Sequence, residues 1–165
     1  MTKHILLVED DLHDVELTLE ALHEHSATSS VFVVHDGEEA LDYLSCQGKF
    51  AGRTSGAPVV VLLDLKMPKV SGLEVLKIIK ADKQLRTIPV VVLTSSREEP
   101  DLIESYKHGV NAYVVKPVDF SEFSKAVKQL GVFWAGMNEL PPRQREEEMA
   151  RSYTATAPPA IKEAA

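Results

Sequence analysis

Four short apolar runs in this chain each stop on side chains capable of chemistry. HILLV at 4–8 runs into Glu9, Asp10 and Asp11, and Val59 to Leu63 runs into Asp64. Val90 to Leu93 runs into Thr94, Ser95 and Ser96, and Asn111 to Val115 runs into Lys116 and Pro117. Singly, each has a plain explanation, such as an aspartate capping a helix. Glu9, Asp10, Asp64, Thr94 and Lys116 together supply three carboxylates, a hydroxyl and an ammonium. Three carboxylates in one cleft repel one another and call for a cation. An oxygen-only donor set suits a hard divalent ion, and one that leaves room for water and a phosphoryl oxygen suits Mg2+. The negative charges of Glu9, Asp10 and Asp64 then balance the positive charges of that ion and Lys116, so a dianionic phosphoryl group is admissible. A carboxylate can be the nucleophile, giving an aspartyl phosphate. The cation, Lys116 and the Thr94 hydroxyl would neutralise charge on the transferring group.

Such a set requires a scaffold that gathers distant residues. The runs at 4–8 and 59–63 lack alternation, as strands buried on both faces do. Val31 to Val34 and the runs ending at Leu93 and Val115 complete five strand candidates. Between them lie helical patterns: Leu12, Val15, Leu19 and Leu22; Ala40, Leu41 and Leu44; Leu73, Leu76 and Ile79; and Leu102, Ile103 and Tyr106. The fourth of these opens with Pro100 and stops at Gly109, and Asp119 or Ser121 can cap a fifth helix. Strand and helix alternating five times is the pattern of an α/β doubly wound domain with a parallel sheet. In such folds the C-terminal ends of the strands converge on one crevice. All four reactive sets would meet there.

These residues, from 4 to about 130, resemble the receiver domain of two-component response regulators. The resemblance rests on Glu9-Asp10 after the first strand, on Asp64 followed by Met67-Pro68 and Gly72, on Thr94, and on Lys116-Pro117. It implies a flavodoxin-like five-stranded sheet of order 2-1-3-4-5 with helices on both faces. It implies Asp64 as phosphoacceptor, Glu9, Asp10 and the Lys66 backbone carbonyl as further Mg2+ ligands, and Lys116 as a phosphoryl contact. Thr94 and Tyr113 would be the coupled switch pair, and the Lys116–Pro117 bond would be cis. Lys66 and Ser96 fall where the family tunes access of water to the acyl phosphate, and the Lys66 side chain could lean over the phosphoryl group. The long loop at 45–57 and the LGVFW…NELPP ending resemble the stand-alone receivers that partner bacterial and cyanobacterial phytochrome histidine kinases.

Other features bound the function. The 18 basic and 25 acidic residues give a net charge of −7, which argues against nonspecific nucleic-acid binding. One cysteine, Cys46, permits no internal disulfide. No apolar run spans a membrane, so a cytoplasmic protein is expected. Cys46 reads as inert, the six histidines show no metal spacing, and Asp11 reads as a solvated residue or helix cap. The expected units are a receiver at 1–130, an extension of the last helix at 131–142, and a short polar helix and flexible tail at 143–165, with no output domain. Val132, Phe133, Trp134, Met137 and Leu140 exceed what the sheet needs covered, so a homodimer through the fourth helix, fifth strand and last helix is expected. Two other functions share the fold: a phosphate sink and a phosphorylation-independent interaction module. A dehalogenase-type phosphatase would want an acid where Lys66 stands.

Overall fold

The computed structural model describes residues 3–23 and 30–141. Five strands and five helices alternate: β1 (His4–Val8), α1 (Leu12–His23), β2 (Ser30–Val34), α2 (Gly37–Ser45), β3 (Val60–Leu63), α3 (Gly72–Ala81), β4 (Val90–Thr94), α4 (Glu99–Lys107), β5 (Ala112–Val115) and α5 (Phe120–Gly131). All pairings are parallel and the sheet order is β2-β1-β3-β4-β5, as the resemblance implied. The long loop before β3 contains a single 3-10 turn, Gly48–Phe50. No helix among the described residues is long and apolar enough to cross a membrane.

The unbroken apolar runs are explained by two cores, one on each face of the sheet. Leu6 and Val8 of β1 point into a core with Ala40, Tyr43 and Leu44 of α2 and Val75, Leu76 and Ile79 of α3. Ile5 and Leu7 point the other way, against Val15, Ala21 and Leu22 of α1 and Phe123 and Val127 of α5. Successive strand residues face opposite sides, so a strand with apolar side chains at every position must be covered twice.

One stripe differs from the sequence expectation. Leu12 is 67% exposed, and the inward face of α1 is completed by Thr18 and Ala21. Leu12 opens the helix at the edge of the crevice, ahead of the turn that meets the sheet. In α4 the apolar residues face outward: Leu102, Ile103 and Tyr106 are 39%, 46% and 56% exposed, and small Ser105 is the buried residue. Gly109 ends that helix at φ +82°, a left-handed conformation that side chains disfavour.

Past Gly131 the helix continues as one wide π turn, Val132–Met137. Gly131 is buried where a Cβ would lie 2.7 Å from Leu22 Cδ2. Trp134 and Leu140, expected to be surplus surface, pack on the α1/α5 core, leaving Val132, Phe133 and Met137 as the exposed apolar set. The segment 143–165 lies outside the described residues.

Candidate functional site

The last ladder hydrogen bonds of the sheet fix the reactive residues at its C-terminal edge. Glu9 N–H donates to Val34 O at 3.1 Å, Asp64 N–H to Val8 O at 3.1 Å, and Lys116 N–H to Thr94 O at 2.7 Å. Each side chain therefore starts from a backbone position held by the neighbouring strand. Gly72 lets α3 begin directly against the β3 tip: a Cβ there would stand 1.9 Å from the Asp64 carbonyl oxygen. Ser71 caps α3 in a reciprocal capping box with Glu74.

Glu9, Asp10 and Asp64 each bring a carboxylate oxygen into a cluster whose atoms all lie within 4.8 Å of one another. Glu9 and Asp64 are buried and Asp10 is exposed, so the cluster opens on one side to solvent. An all-oxygen set of this kind fits Mg2+ or Mn2+. Lys116 reaches in from the β5 tip. Its Nζ donates to Glu9 Oε2 at 2.6 Å and to Asp14 Oδ2 at 2.7 Å, and lies 3.5 Å from Asp64 Oδ2.

Burial, only partly offset by the Lys116 hydrogen bond and reinforced by the charge of Asp64, pushes the Glu9 carboxyl up to about 7. For Lys116 burial alone would act downward. Its hydrogen bonds to Asp14 and Glu9 and the charges of Asp64 and Glu9 outweigh that, and its pKa is raised above the usual lysine value. The pocket thus favours a charged lysine and disfavours crowding further negative charge onto Glu9 without a cation.

Thr94 and Tyr113 meet on one residue. Thr94 is fully buried, and its Oγ1 accepts from Ser96 N–H at 3.3 Å; the Tyr113 hydroxyl donates to Ser96 O at 3.2 Å. The Lys66 side chain does not lean toward Asp64. Its Nζ pairs with Asp101 at 3.1 Å and lies 3.8 Å from Glu98, because two acids at the start of α4 compete for it. The Lys66 N–H donates to Asp64 Oδ1 at 3.4 Å. On the other side of the same loop, Lys69 pairs with Asp36, the cap of α2, at 2.7 Å.

Asp11 is the helix cap of the two readings offered for it, its Oδ1 accepting from Asp14 N–H at 3.0 Å. The Lys116–Pro117 bond is trans rather than cis, since no described peptide bond is cis. Trans is the intrinsically favoured isomer of such bonds, by about 0.5–1 kcal/mol, and with it Lys116 already reaches three carboxylates. His4 is buried. Asp14 and Asp101 were not foreseen. The available signal for Asp14 was its place four residues after Asp10, one helical turn from the strand tip.

Comparison with known proteins gives one family. The response regulator receiver domain matches residues 5–128. The response regulator Rcp1 of Synechocystis sp. is 40% identical over 139 residues, covering 84% of this chain and 93% of Rcp1. The structure of the Mn2+-bound form of Rcp1 superposes with a TM-score of 0.79, covering 84% of this chain and 99% of that one. The bacteriophytochrome response regulator RtBRR is 54% identical, with a TM-score of 0.69 and coverage of 94% of this chain and 95% of its own.

Proposed function

Because the chain belongs to the response regulator receiver family, we propose that it receives a phosphoryl group from a histidine kinase onto Asp64 and signals through the change this causes at its surface. The observation that carries the reading is the trio of buried Glu9, exposed Asp10 and buried Asp64, with Lys116 bonded to Glu9 and Asp64 across it.

In this reading Glu9, Asp10, Asp64 and the Lys66 backbone carbonyl hold Mg2+, which when bound supplies positive charge against the transferring phosphoryl oxygens. Asp64 Oδ attacks phosphorus, the bond from phosphorus to the kinase histidine nitrogen breaks, and the electron pair leaves with the imidazole. Lys116 forms an ion pair with the arriving phosphoryl group. Thr94 turns its hydroxyl from Ser96 to a phosphoryl oxygen, and Tyr113, released from Ser96, moves inward behind it. The protein thus assists its own phosphorylation and later hydrolysis while serving as a signalling switch, in the cytoplasm, rather than as an enzyme acting on a metabolite.

The partner we propose is a bacterial phytochrome kinase. The supporting observation is the 54% identity to RtBRR over nearly the whole of both chains. Residues 1–130 act as the receiver unit, and 131–142 as a dimer contact together with α4 and β5. The exposed set of Leu102, Ile103, Tyr106, Val132, Phe133 and Met137 supplies apolar surface for it. The test is transfer from an autophosphorylated phytochrome-type kinase. Label should leave the kinase for the wild-type chain and remain on the kinase with Asp64→Asn; transfer to both proteins would remove Asp64 from its role.

A further inference from the structure

Lys66 and Ser96 come from different loops, yet one oxygen of one side chain holds both. Asp101, in the first turn of α4, accepts at Oδ2 from Ser96 Oγ at 2.6 Å and pairs at the same atom with Lys66 Nζ at 3.1 Å. Ser96 is itself the residue to which Thr94 and Tyr113 are bonded. Lys66 lies two residues past Asp64 and donates its N–H to that carboxylate. Asp101 is therefore the point on α4 where the loop after Asp64, the tip of β4 and the Tyr113 hydroxyl are tied together.

α4 itself buries little apolar surface. Its one buried residue is Ser105, and its large apolar side chains face solvent. An element fixed by polar contacts at one end rather than by apolar burial opens at low free-energy cost. The Asp101 side chain is 18% exposed, so its charge-assisted bonds are partly shielded from water. The lysine ammonium, in contrast, is a point charge on a flexible four-carbon stem. With its backbone anchored beside Asp64, it can serve either Asp101 or an anion placed on Asp64.

We propose that Asp101 is a positioning residue that clasps α4 to the loop after Asp64, so that the docked position of α4 and an anionic group on Asp64 compete for the Lys66 ammonium. The clasp stands on its own, whereas the competition rests on the phosphoacceptor reading of Asp64. By linkage the coupling runs both ways: whatever lifts α4 strengthens the hold on an anion at Asp64, and an anion there loosens α4.

Two measurements on the full chain decide this. The first needs no ligand: amide hydrogen exchange across 99–107. Asp101→Asn and Lys66→Ala should each speed exchange in α4 while leaving α1 and α5 unchanged, and the double variant should exchange no faster than Asp101→Asn alone. Unchanged exchange in both single variants would overturn the clasp. The second is fluoroberyllate affinity in Mg2+. Asp101→Asn should bind up to about fivefold more tightly than wild type, the scale of an exposed ion pair. The gain should vanish in the Lys66→Ala background. A merely structural role predicts weaker binding, so an unchanged or weakened affinity, or a gain that persists without Lys66, would overturn the competition. Failure of the wild type itself to bind fluoroberyllate would overturn the phosphoacceptor reading and the competition with it, and the exchange data would still decide the clasp.

Discussion

Lys116 Nζ stands 2.7 Å from the Asp14 carboxylate and 3.5 Å from that of Asp64. The ammonium is thus shared with α1, and in the proposed reaction Asp14 is a rival to the arriving phosphoryl group for it. Asp14→Asn removes the rival charge and leaves Glu9 and Asp64 to hold the lysine. Hydrogen bonds to charged groups are worth about 1.5–3 kcal/mol, and only part of that is recovered on transfer. We expect phosphorylation by acetyl phosphate to speed up by about 3- to 10-fold. A slower reaction, timed by intact mass, would mean that Asp14 aims the lysine instead of withholding it.

His4 is buried with Nε2 unbonded, and desolvation, helped by the charge of Arg53, lowers its pKa to about 4. The unfolded chain binds this proton near the ordinary value of about 6.5, so between those values the unfolded state carries more protons. Stability is full above about 6.5 and falls as pH drops toward 4, by about 3 kcal/mol at most from this group. His4→Leu should show a shallower loss of unfolding free energy over that window. Equal slopes for the two proteins in urea titrations would contradict the assignment.

Gly72 leaves no room for a side chain. A Cβ would meet the Asp64 carbonyl at 1.9 Å and Leu65 Cα at 2.7 Å, both backbone atoms that cannot rotate away. Gly72→Ala should cost about 3 kcal/mol or more of stability and impair phosphorylation of whatever folds. Thermal unfolding indistinguishable from wild type would show that the β3–α3 approach is looser than drawn.

The proposed homodimer makes its own demand. Phe133 and Met137 are 47% and 69% exposed on the π turn. Replacing both by glutamate should convert a sedimenting dimer to monomer without lowering the melting temperature of the receiver. A wild-type monomer at tens of micromolar, phosphorylated or not, would refute the interface.

The strand tips were legible because the signal is local: an apolar run with no alternation, then a polar residue. Glu9, Asp10, Asp64, Thr94 and Lys116 were all found that way, and the parallel sheet that unites them follows from the alternation of strand and helix. The partners of those residues were not legible. Asp14 reads as an ordinary polar residue on a helix until Lys116, far along the chain, is folded against it. Asp101 reads as a first-turn acid beside the helix dipole, and its grip on Lys66 and Ser96 exists only once β3 and β4 lie side by side. Which side of α4 meets the sheet was illegible for a related reason. Helical spacing identifies a stripe but not which side the sheet will take, and here the sheet took Ser105.

Signalling through Asp64 requires that a divalent ion held between β1 and β3 make its carboxyl group phosphorylatable. The most direct measurement is intact mass after incubation with acetyl phosphate, with Mg2+ or with chelator, followed by fragmentation to locate the added group. The account predicts one added phosphoryl group, on Asp64, in Mg2+ alone and absent from Asp64→Asn. Phosphorylation that is indifferent to the metal, or that persists in Asp64→Asn, would contradict it.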